Sequence, residues 1–407
     1  MNKRRILNLI ARGGLFILIL SLGTLAALVA GEATGLALGD LSEASVQAMT
    51  TTAHGDVIYI SMAGGPQPSG VYRSDDNGRT WQIVSPGPGT AARALAVNPA
   101  DQSVLYAGTG AGSATRTNSL WYSDNAGETW HQLSIGLPIS PQGLIPGVTA
   151  LAVDQNQPNA LYVGTDGHGV YRFAAEPGGY GYELVGGVSL VTAYVNGLVV
   201  GPDSHVYALT NDGLFVTDGR TWQPVSLPEQ AVVSLAVAPD DPRRLYAGTA
   251  STGLYRSTDG GQTWERATHE LDLVPGVALR ITALAVDQQD PDLVVAAAAY
   301  TWGSQFANQG IYASQDAGHT WRKLTGADSR VTQLAANRGV VYAATAGGLA
   351  RYGEPVGTTP DSLLLAARSL AHPSGVQVLV LALTAILAGL ALVGRLEWLA
   401  GRRAQTV

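Results

Sequence analysis

Cysteine is absent from the 407 residues, which excludes disulfides, thiolate metal sites and cysteine nucleophiles together. Charge is scarce: 14% of residues are Asp, Glu, Lys or Arg, against about a quarter in an ordinary soluble domain. Lysine stands only at Lys3 and Lys323, so the cations are almost all arginine. The formal net charge of −7 has the wrong sign for a chain that tracks a phosphate backbone, and nucleic acid is excluded as a partner. The 7 histidines, His168 in TDGHG among them, are scattered without metal-ligand spacing. No phosphate-binding glycine loop and no Gly-x-Ser-x-Gly elbow is present, so no metal and no cofactor is expected. What is abundant is apolar residues (46%), Gly (50) and Pro (20). The chain is too apolar for disorder and rich enough in turn residues for many short elements.

Two long apolar runs lie at the ends. Gly13–Ala30 (GGLFILILSLGTLAALVA) follows Lys3, Arg4, Arg5 and Arg12. As a helix it reaches about 27 Å, close to the hydrocarbon thickness of a bilayer. Two readings stand: an uncleaved anchor, which the length favours, and a signal peptide cut near Ala30 or Ala33. Gly375–Gly394 holds no charge and is followed by Arg395, Arg402 and Arg403, which reads as a membrane span. The basic flanks place both tails in the cytoplasm and the chain between them outside. The expected organisation is a basic tail (1–12), a transmembrane helix or signal anchor (13–30), a linker (31–44), an exported domain (45–353), a linker (354–374), a transmembrane helix (375–394) and a basic tail (395–407).

Internal repetition dominates the exported part. RSDDNGRTW (73–81), YSDNAGETW (122–130), RSTDGGQTW (256–264) and ASQDAGHTW (313–321) are copies of one phrase, and VTDGRTW (216–222) is a shortened one. A second phrase precedes it: ALAVNPADQSVLYAGT from Ala94, ALAVDQNQPNALYVGT from Ala150, SLAVAPDDPRRLYAGT from Ser234 and ALAVDQQDPDLVVAAA from Ala283. Weaker copies are GLVVGPDSHVYALT from Gly197 and QLAANRGVVYAAT from Gln333; the leucines of all six recur at intervals of 37 to 56 residues, and a further copy near Val46 brings the units to seven. Each unit reads as four short strands separated by Gly, Asp, Asn and Pro. The expected fold is all-β, a seven-bladed propeller with four-stranded blades, flanked by the two transmembrane helices. The last unit lacks its Trp strand after Tyr352, and Leu36–Leu41 is expected to supply it and close the ring.

The Ser/Thr-x-Asp-x-Gly-x-Thr-Trp phrase resembles the Asp-box, or bacterial neuraminidase repeat. That repeat occurs in sialidases, xyloglucanase-type glycosidases, sortilin-type receptors and photosystem II assembly-factor propellers. The resemblance covers about residues 45–353 and implies a fold rather than a chemistry.

Within the phrase, Asp76, Asp259 and Asp316 are placed to accept backbone N–H groups in the turn from third to fourth strand. Gly78, Gly127, Gly261 and Gly318 allow a positive φ there, and Trp81, Trp130, Trp222, Trp264 and Trp321 offer faces to pack between blades. These residues read as structural, as do Asp154 and Asp287 in the turns after LAV.

Strand alternation puts the boxes on one face of the ring. The long connections 110–120, 134–147, 268–280 and 299–310 fall on the other, where long loops usually carry function. Leu137, Ile139, Leu144, Ile145, Leu271, Leu273 and Val274 on these loops, with Tyr300, Trp302 and Phe306, offer either an apolar partner surface or a local core. Arg93, Arg280 and Arg330 stand at the start of innermost strands on the same face. They read either as a cationic cluster for a carboxylate or phosphate, or as arginines paired to acids such as Asp328.

A sialidase needs an arginine triad, a Tyr–Glu pair and an acidic Asp; the Arg-Ile-Pro motif of that family is absent. A glycosidase needs two convergent carboxylates, and only Glu270, Asp272 and Asp328 lie toward the loop face. The reading is therefore a protein-binding or assembly scaffold, with an exported or membrane protein as partner. The alternative is a carbohydrate-binding or glycoside-hydrolysing propeller in which Tyr300, Trp302 and Phe306 stack on sugar and Glu270 and Asp272 are the acids.

Overall fold

The repeated phrases fold as seven antiparallel sheets, because each run of β-branched, aromatic and small apolar residues is bounded by glycine, proline or Asx turns. The computed structural model describes residues 36–37, 41, 43–52, 57–84, 91–110, 120–133, 146–176, 179–185, 190–228, 231–271, 274, 276–302, 305–325 and 329–353. The apolar runs at 13–30 and 375–394 lie outside them, as do loop residues 111–119 and 134–145. Among the described residues no helix is long and apolar enough to cross a membrane.

Blade 1 is Ser45–Thr51, Ile58–Ala63, Gly70–Ser74 and Thr80–Ile83. Blade 2 is Ala94–Val97, Leu105–Gly108, Leu120–Ser123 and His131–Gln132. Blade 3 is Val148–Val153, Ala160–Thr165, Val170–Glu176 and Gly179–Leu184. Blade 4 is Val195–Val200, Val206–Thr210, Gly213–Thr217 and Trp222–Pro224. Blade 5 is Val232–Val237, Leu245–Thr249, Leu254–Ser257 and Glu265–Arg266. Blade 6 is Ala278–Val286, Val294–Trp302, Gln305–Ser314 and Arg322–Thr325. Blade 7 is Val331–Asn337, Val340–Thr345 and Gly348–Tyr352, three strands among the described residues.

In every blade the strands lie in chain order from the inside out, and the first strand of each packs on the first strand of the next. The first strand of blade 1 touches both blade 2 and blade 7, so the ring is closed. Six of the seven innermost strands carry a bulge near their start, as at Val232/Ser234 and Ile281/Ala283. A bulge bends and twists its strand, and its repetition gives the blades a common wedge shape.

Closure differs from the expectation in one respect. Leu36 and Ala37 do not complete blade 7: they pair with Trp81 and Thr80 as a fifth strand on the outside of blade 1. The fourth strand of blade 1 has an open edge there, and unpaired N–H and C=O groups take the first compatible backbone. The seam itself is sealed by packing. Leu41 and Ala44 are buried with Val340, Tyr342, Ala344 and Leu349 of blade 7, and the Glu43 N–H donates to Gly347 O at 3.1 Å.

Candidate ligand-binding face

The two faces of the ring use their charges differently, and this separates scaffold from site. On the box face, Ser74 Oγ–H donates to Asp76 Oδ1 and accepts the Gly78 N–H, both at 2.8 Å. Asp76 Oδ1 accepts the N–H groups of Arg79 and Thr80 at 3.0 and 2.8 Å, and Oδ2 accepts the Thr80 hydroxyl at 2.6 Å. Asp259 repeats this with Ser257, Gln262 and Thr263, and Asp316 with Ser314, His319 and Thr320. Hydrogen bonds from the Thr263 hydroxyl and N–H and from Ser257 hold the Asp259 carboxyl down at about 2. Those from Ser314 and Thr320 hold Asp316 below the ordinary carboxylate range. In blade 2 the same position is Asn125, which accepts from Ser123 and the Thr129 N–H and donates to the Thr129 hydroxyl.

The box glycines take positive φ and all four abut the neighbouring blade, two of them against a tyrosine. A Cβ at Gly318 would stand 2.9 Å from Tyr246 Cε1, and one at Gly78 would stand 3.0 Å from Tyr342 Cε1. These tyrosines latch adjacent blades: Tyr246 Oη donates to Ala317 O at 2.9 Å and Tyr342 Oη to Asn77 O at 3.1 Å. Burial pushes Tyr342 up to about 12. Four of the five box tryptophans spend their indole N–H groups locally or on the preceding blade: Trp81 on Gly78 O, Trp264 on Gly261 O, Trp130 on Val84 O and Trp222 on Val185 O; the buried Trp321 Nε1 has no acceptor among the described residues. Trp81 and Trp321 are buried in inter-blade cores, whereas Trp130 and Trp264 are half-buried.

Turns after LAV add a second set of clamps. Asp287 is fully buried; it caps its own turn through the Gln289 and Asp290 N–H groups and reaches blade 7 through those of Arg338 and Gly339, at 3.1 and 2.8 Å. Asp154 likewise accepts from Asn156 in its turn and from Ser204 of blade 4. The sequence reading saw the turn role of these residues and missed the inter-blade one, along with the tyrosine latches. The recurrent Tyr of the LYAG strands was the available signal.

On the opposite face, blade 6 supplies the longest described hairpin. The segment 299–310, expected as an irregular loop, is instead the continuation of a long hairpin: Ala299 pairs with Asn308, Tyr300 with Ala307, Thr301 with Phe306 and Trp302 with Gln305. Cross-strand pairs share a face and successive residues alternate. Arg280, Ala299, Thr301, Phe306 and Asn308 therefore face blade 7, and Leu279, Tyr300, Trp302 and Ala307 face blade 5. The three aromatics do not make one surface. Tyr300 is 7% exposed in a core with Leu254, Leu271 and Leu279, while Trp302 (50%) and Phe306 (37%) stand on opposite sides of the hairpin. Leu271 of the 268–280 connection thus belongs to a core, and Val274 is exposed. Leu273 lies outside the described residues, as do Leu137, Ile139, Leu144 and Ile145.

On the blade 7 side, Arg330 Cζ lies 5.2 Å from the Phe306 ring centroid, a cation–π contact. Arg280 is half-buried, its buried Nε has no hydrogen-bond partner, and burial followed by repulsion from Arg330 pushes its guanidinium below the usual arginine range. Among the described residues neither arginine forms a salt bridge. Asp328 lies outside them. The two guanidiniums thus lie within electrostatic reach of one another on the blade 7 side of the hairpin. Arg93, at the start of blade 2, is exposed, and a Cβ at Gly110 would lie 3.1 Å from its Cζ.

Of the proposed acids, Glu270 is engaged within the ring. Glu270, at φ 67°, gives its Oε2 to the Trp321 N–H at 2.9 Å and ties the blade 5–blade 6 link to the outer strand of blade 6. Asp272 lies outside the described residues. A cavity of about 180 Å³ lies at the edge of blade 4, lined by Asp212, Phe215, Pro224, Leu227 and Val232 among others, and none of the expected site residues lines it. No group of three or more His, Asp or Glu able to hold a metal occurs among the described residues.

Known proteins agree with this architecture. Residues 215–342 match the Sortilin-Vps10 family (sortilin, neurotensin receptor 3), and residues 121–132 match the BNR/Asp-box repeat. A probable oligoxyloglucan-reducing end-specific xyloglucanase of Neosartorya fischeri is 25% identical over 227 residues, 52% of this chain and 26% of that protein. The chain thus spans about a quarter of that relative's length. The GH74 xyloglucanase of Xanthomonas campestris superposes with a TM-score of 0.58 at 19% identity, covering 77% of this chain and 52% of that one. YCF48 bound to D1 peptide superposes with a TM-score of 0.53 at 15% identity, covering 77% of this chain and 94% of that one. At these identities the structural likeness speaks for the fold. The chain is a seven-bladed β-propeller built on BNR/Asp-box repeats.

Proposed function

We propose that this propeller is a non-catalytic binding scaffold, held outside the cytoplasmic membrane by its terminal apolar runs, that grips a carboxylate-bearing segment of an exported or membrane protein. The observation that carries the reading is the Arg280–Arg330 pair, which has no acid among the described residues and includes one buried guanidinium nitrogen without an acceptor. A partner carboxylate removes both costs, since it neutralises the repulsion and satisfies the donor. The likeness to YCF48 bound to D1 peptide supports the class of partner, because a ring of similar shape holds a polypeptide there. The apolar runs at 13–30 and 375–394, with their basic flanks, support the placement.

The test is crosslinking in intact membranes, followed by affinity purification of the full-length tagged chain and mass spectrometry. A specific exported or membrane protein is expected with the wild type and lost with Arg280→Glu/Arg330→Glu. Undiminished recovery with the double variant removes the pair from the function. Protease added from outside is expected to clip the ring; complete protection overturns the topology.

A second reading has its own observation. Trp302 is half exposed at the tip of the blade 6 hairpin, where an indole can stack on a sugar, and curated relatives of the chain are xyloglucanases. Binding or hydrolysis of xyloglucan oligosaccharides that is lost in Trp302→Ala and retained in the arginine double variant would select it.

A further inference from the structure

Blade 6 carries a strand edge that runs on beyond the reach of its fourth strand. Its first three strands run nine, nine and ten residues, against four to seven in the other blades. Its fourth strand pairs only with Ile311, Tyr312 and Ala313. Gln305–Asn308 are therefore paired on one side with the second strand, Gln309 is the extra residue of a bulge, and among the described residues nothing pairs on the other side. Along such an edge alternate residues turn N–H and C=O outward. Natural edges of this kind are usually blunted by lysine, proline, an inward charge or a bulge; this one reads QFANQ, with a bulge at Gln309 and none of the other three.

The same edge adjoins the arginine pair. Phe306 faces blade 7 and carries Arg330 on its ring, and Arg280 lies on the same face of the sheet. A strand laid beside Gln305–Gln309 would sit about 4.8 Å outside it and send every second side chain to that face. A side chain there meets Phe306 and the Arg330 guanidinium, so it must be acidic to complement them.

We infer that the ligand adds as a β-strand to the Gln305–Gln309 edge, as an extended segment of a partner protein with a Glu or Asp side chain directed at Arg330. This deepens the scaffold reading and rests on it: the arginines select charge, and the edge selects an extended backbone.

The probe is a dye-labelled nonapeptide, Thr-Val-Glu-Val-Thr-Val-Glu-Val-Thr, titrated into the full-length purified chain and followed by fluorescence anisotropy. Its Gln counterpart and two forms N-methylated on alternate nitrogens, odd or even, are the controls. The Glu peptide is expected to bind at least tenfold more tightly than the Gln peptide, and Arg330→Gln to abolish that difference. One N-methylated register is expected to lose binding and the other to keep it, because an added strand bonds its host through alternate residues only. Slowed amide exchange confined to residues 305–309 on binding is the matching signal in the protein.

Equal binding of both methylated forms, with the Glu preference intact, overturns strand addition and leaves the arginine grip standing. Failure of all four peptides, while the membrane crosslink remains dependent on Arg280 and Arg330, likewise rejects the edge and spares the scaffold. Loss of both retires the two readings together.

Discussion

Asp259 and Arg280 stand on opposite faces of the same ring and show opposite chemistry. The carboxylate is surrounded by donors supplied by its own turn, and its pKa falls to about 2. The guanidinium is partly desolvated, lies near another cation, and its pKa falls for the opposite reason, the charged form being disfavoured. One charge is consumed in folding and the other is left over. The first holds a turn together; the second is the charge on which the proposed partner site rests. The comparison makes a clean demand on mutants: changes on the box face should lower stability and spare binding, and changes at the arginine pair should do the reverse.

The largest effect is expected at the closing seam. Trp81 is fully buried among Leu41, Tyr72 and Tyr342, where blade 7 meets blade 1. Trp81→Ala should cost about 3–5 kcal/mol, read by denaturant unfolding of the full chain. A loss below about 1 kcal/mol, less than a typical buried-aromatic truncation, would mean the seam is held elsewhere. Next comes Asp287→Ala, which strands the N–H donors of Arg338 and Gly339 in blade 7 as well as those of its own turn. Hydrogen bonds to a charged group contribute about 1.5–3 kcal/mol each, so a loss of about 3 kcal/mol is expected. Unchanged partner recovery in whatever folded fraction remains is the second half of that prediction.

The arginine pair should behave in the opposite way. Arg280→Gln removes a desolvated charge from beside Arg330, so the melting temperature should hold steady or rise while capture of the partner falls at least tenfold. A drop in melting temperature with binding retained would reverse the assignment of the two faces and make Arg280 a structural residue.

Most of the ring was legible in the sequence, because a repeated phrase is a repeated local structure. Ser-x-Asp-x-Gly-x-Thr-Trp specifies a hydroxyl, a carboxylate, a positive φ and a large apolar face in one turn, and all four form from contacts within the phrase itself. What was not legible depended on distant partners. Leu36 and Ala37 could pair with any open edge, and only the assembled ring shows that blade 1 takes them. The segment 299–310 contains Gly, Ser, Asn and Gln and reads as a loop, yet its pairing partner lies within the same hairpin and extends the second strand of blade 6 as far as Trp302. The aromatic trio failed as a surface for the same reason: once the segment is a strand, alternation sends Trp302 and Phe306 to opposite sides. Arg280 and Arg330, far apart in sequence, come within electrostatic reach because consecutive blades place equivalent positions side by side.

The smallest expected effect sharpens the box side of the comparison. Blade 2 uses Asn125 where blades 1, 5 and 6 use Asp76, Asp259 and Asp316, with the same Ser, Gly and Thr partners. Asp259→Asn should therefore fold normally at pH 7 and bind as the wild type does. Its difference should emerge only in acid. The folded Asp259 carboxyl sits at about 2 against an ordinary 3.8, so it contributes stability above the unfolded value that is lost as the pH falls through the folded one. Between about pH 4 and pH 2 the wild type should lose melting temperature faster than Asp259→Asn, and the two curves should converge at the acid end. Parallel curves through that window would show that the box holds its turn by shape and hydrogen-bond count, with its negative charge contributing nothing, and would remove the charge from the box-face half of the comparison.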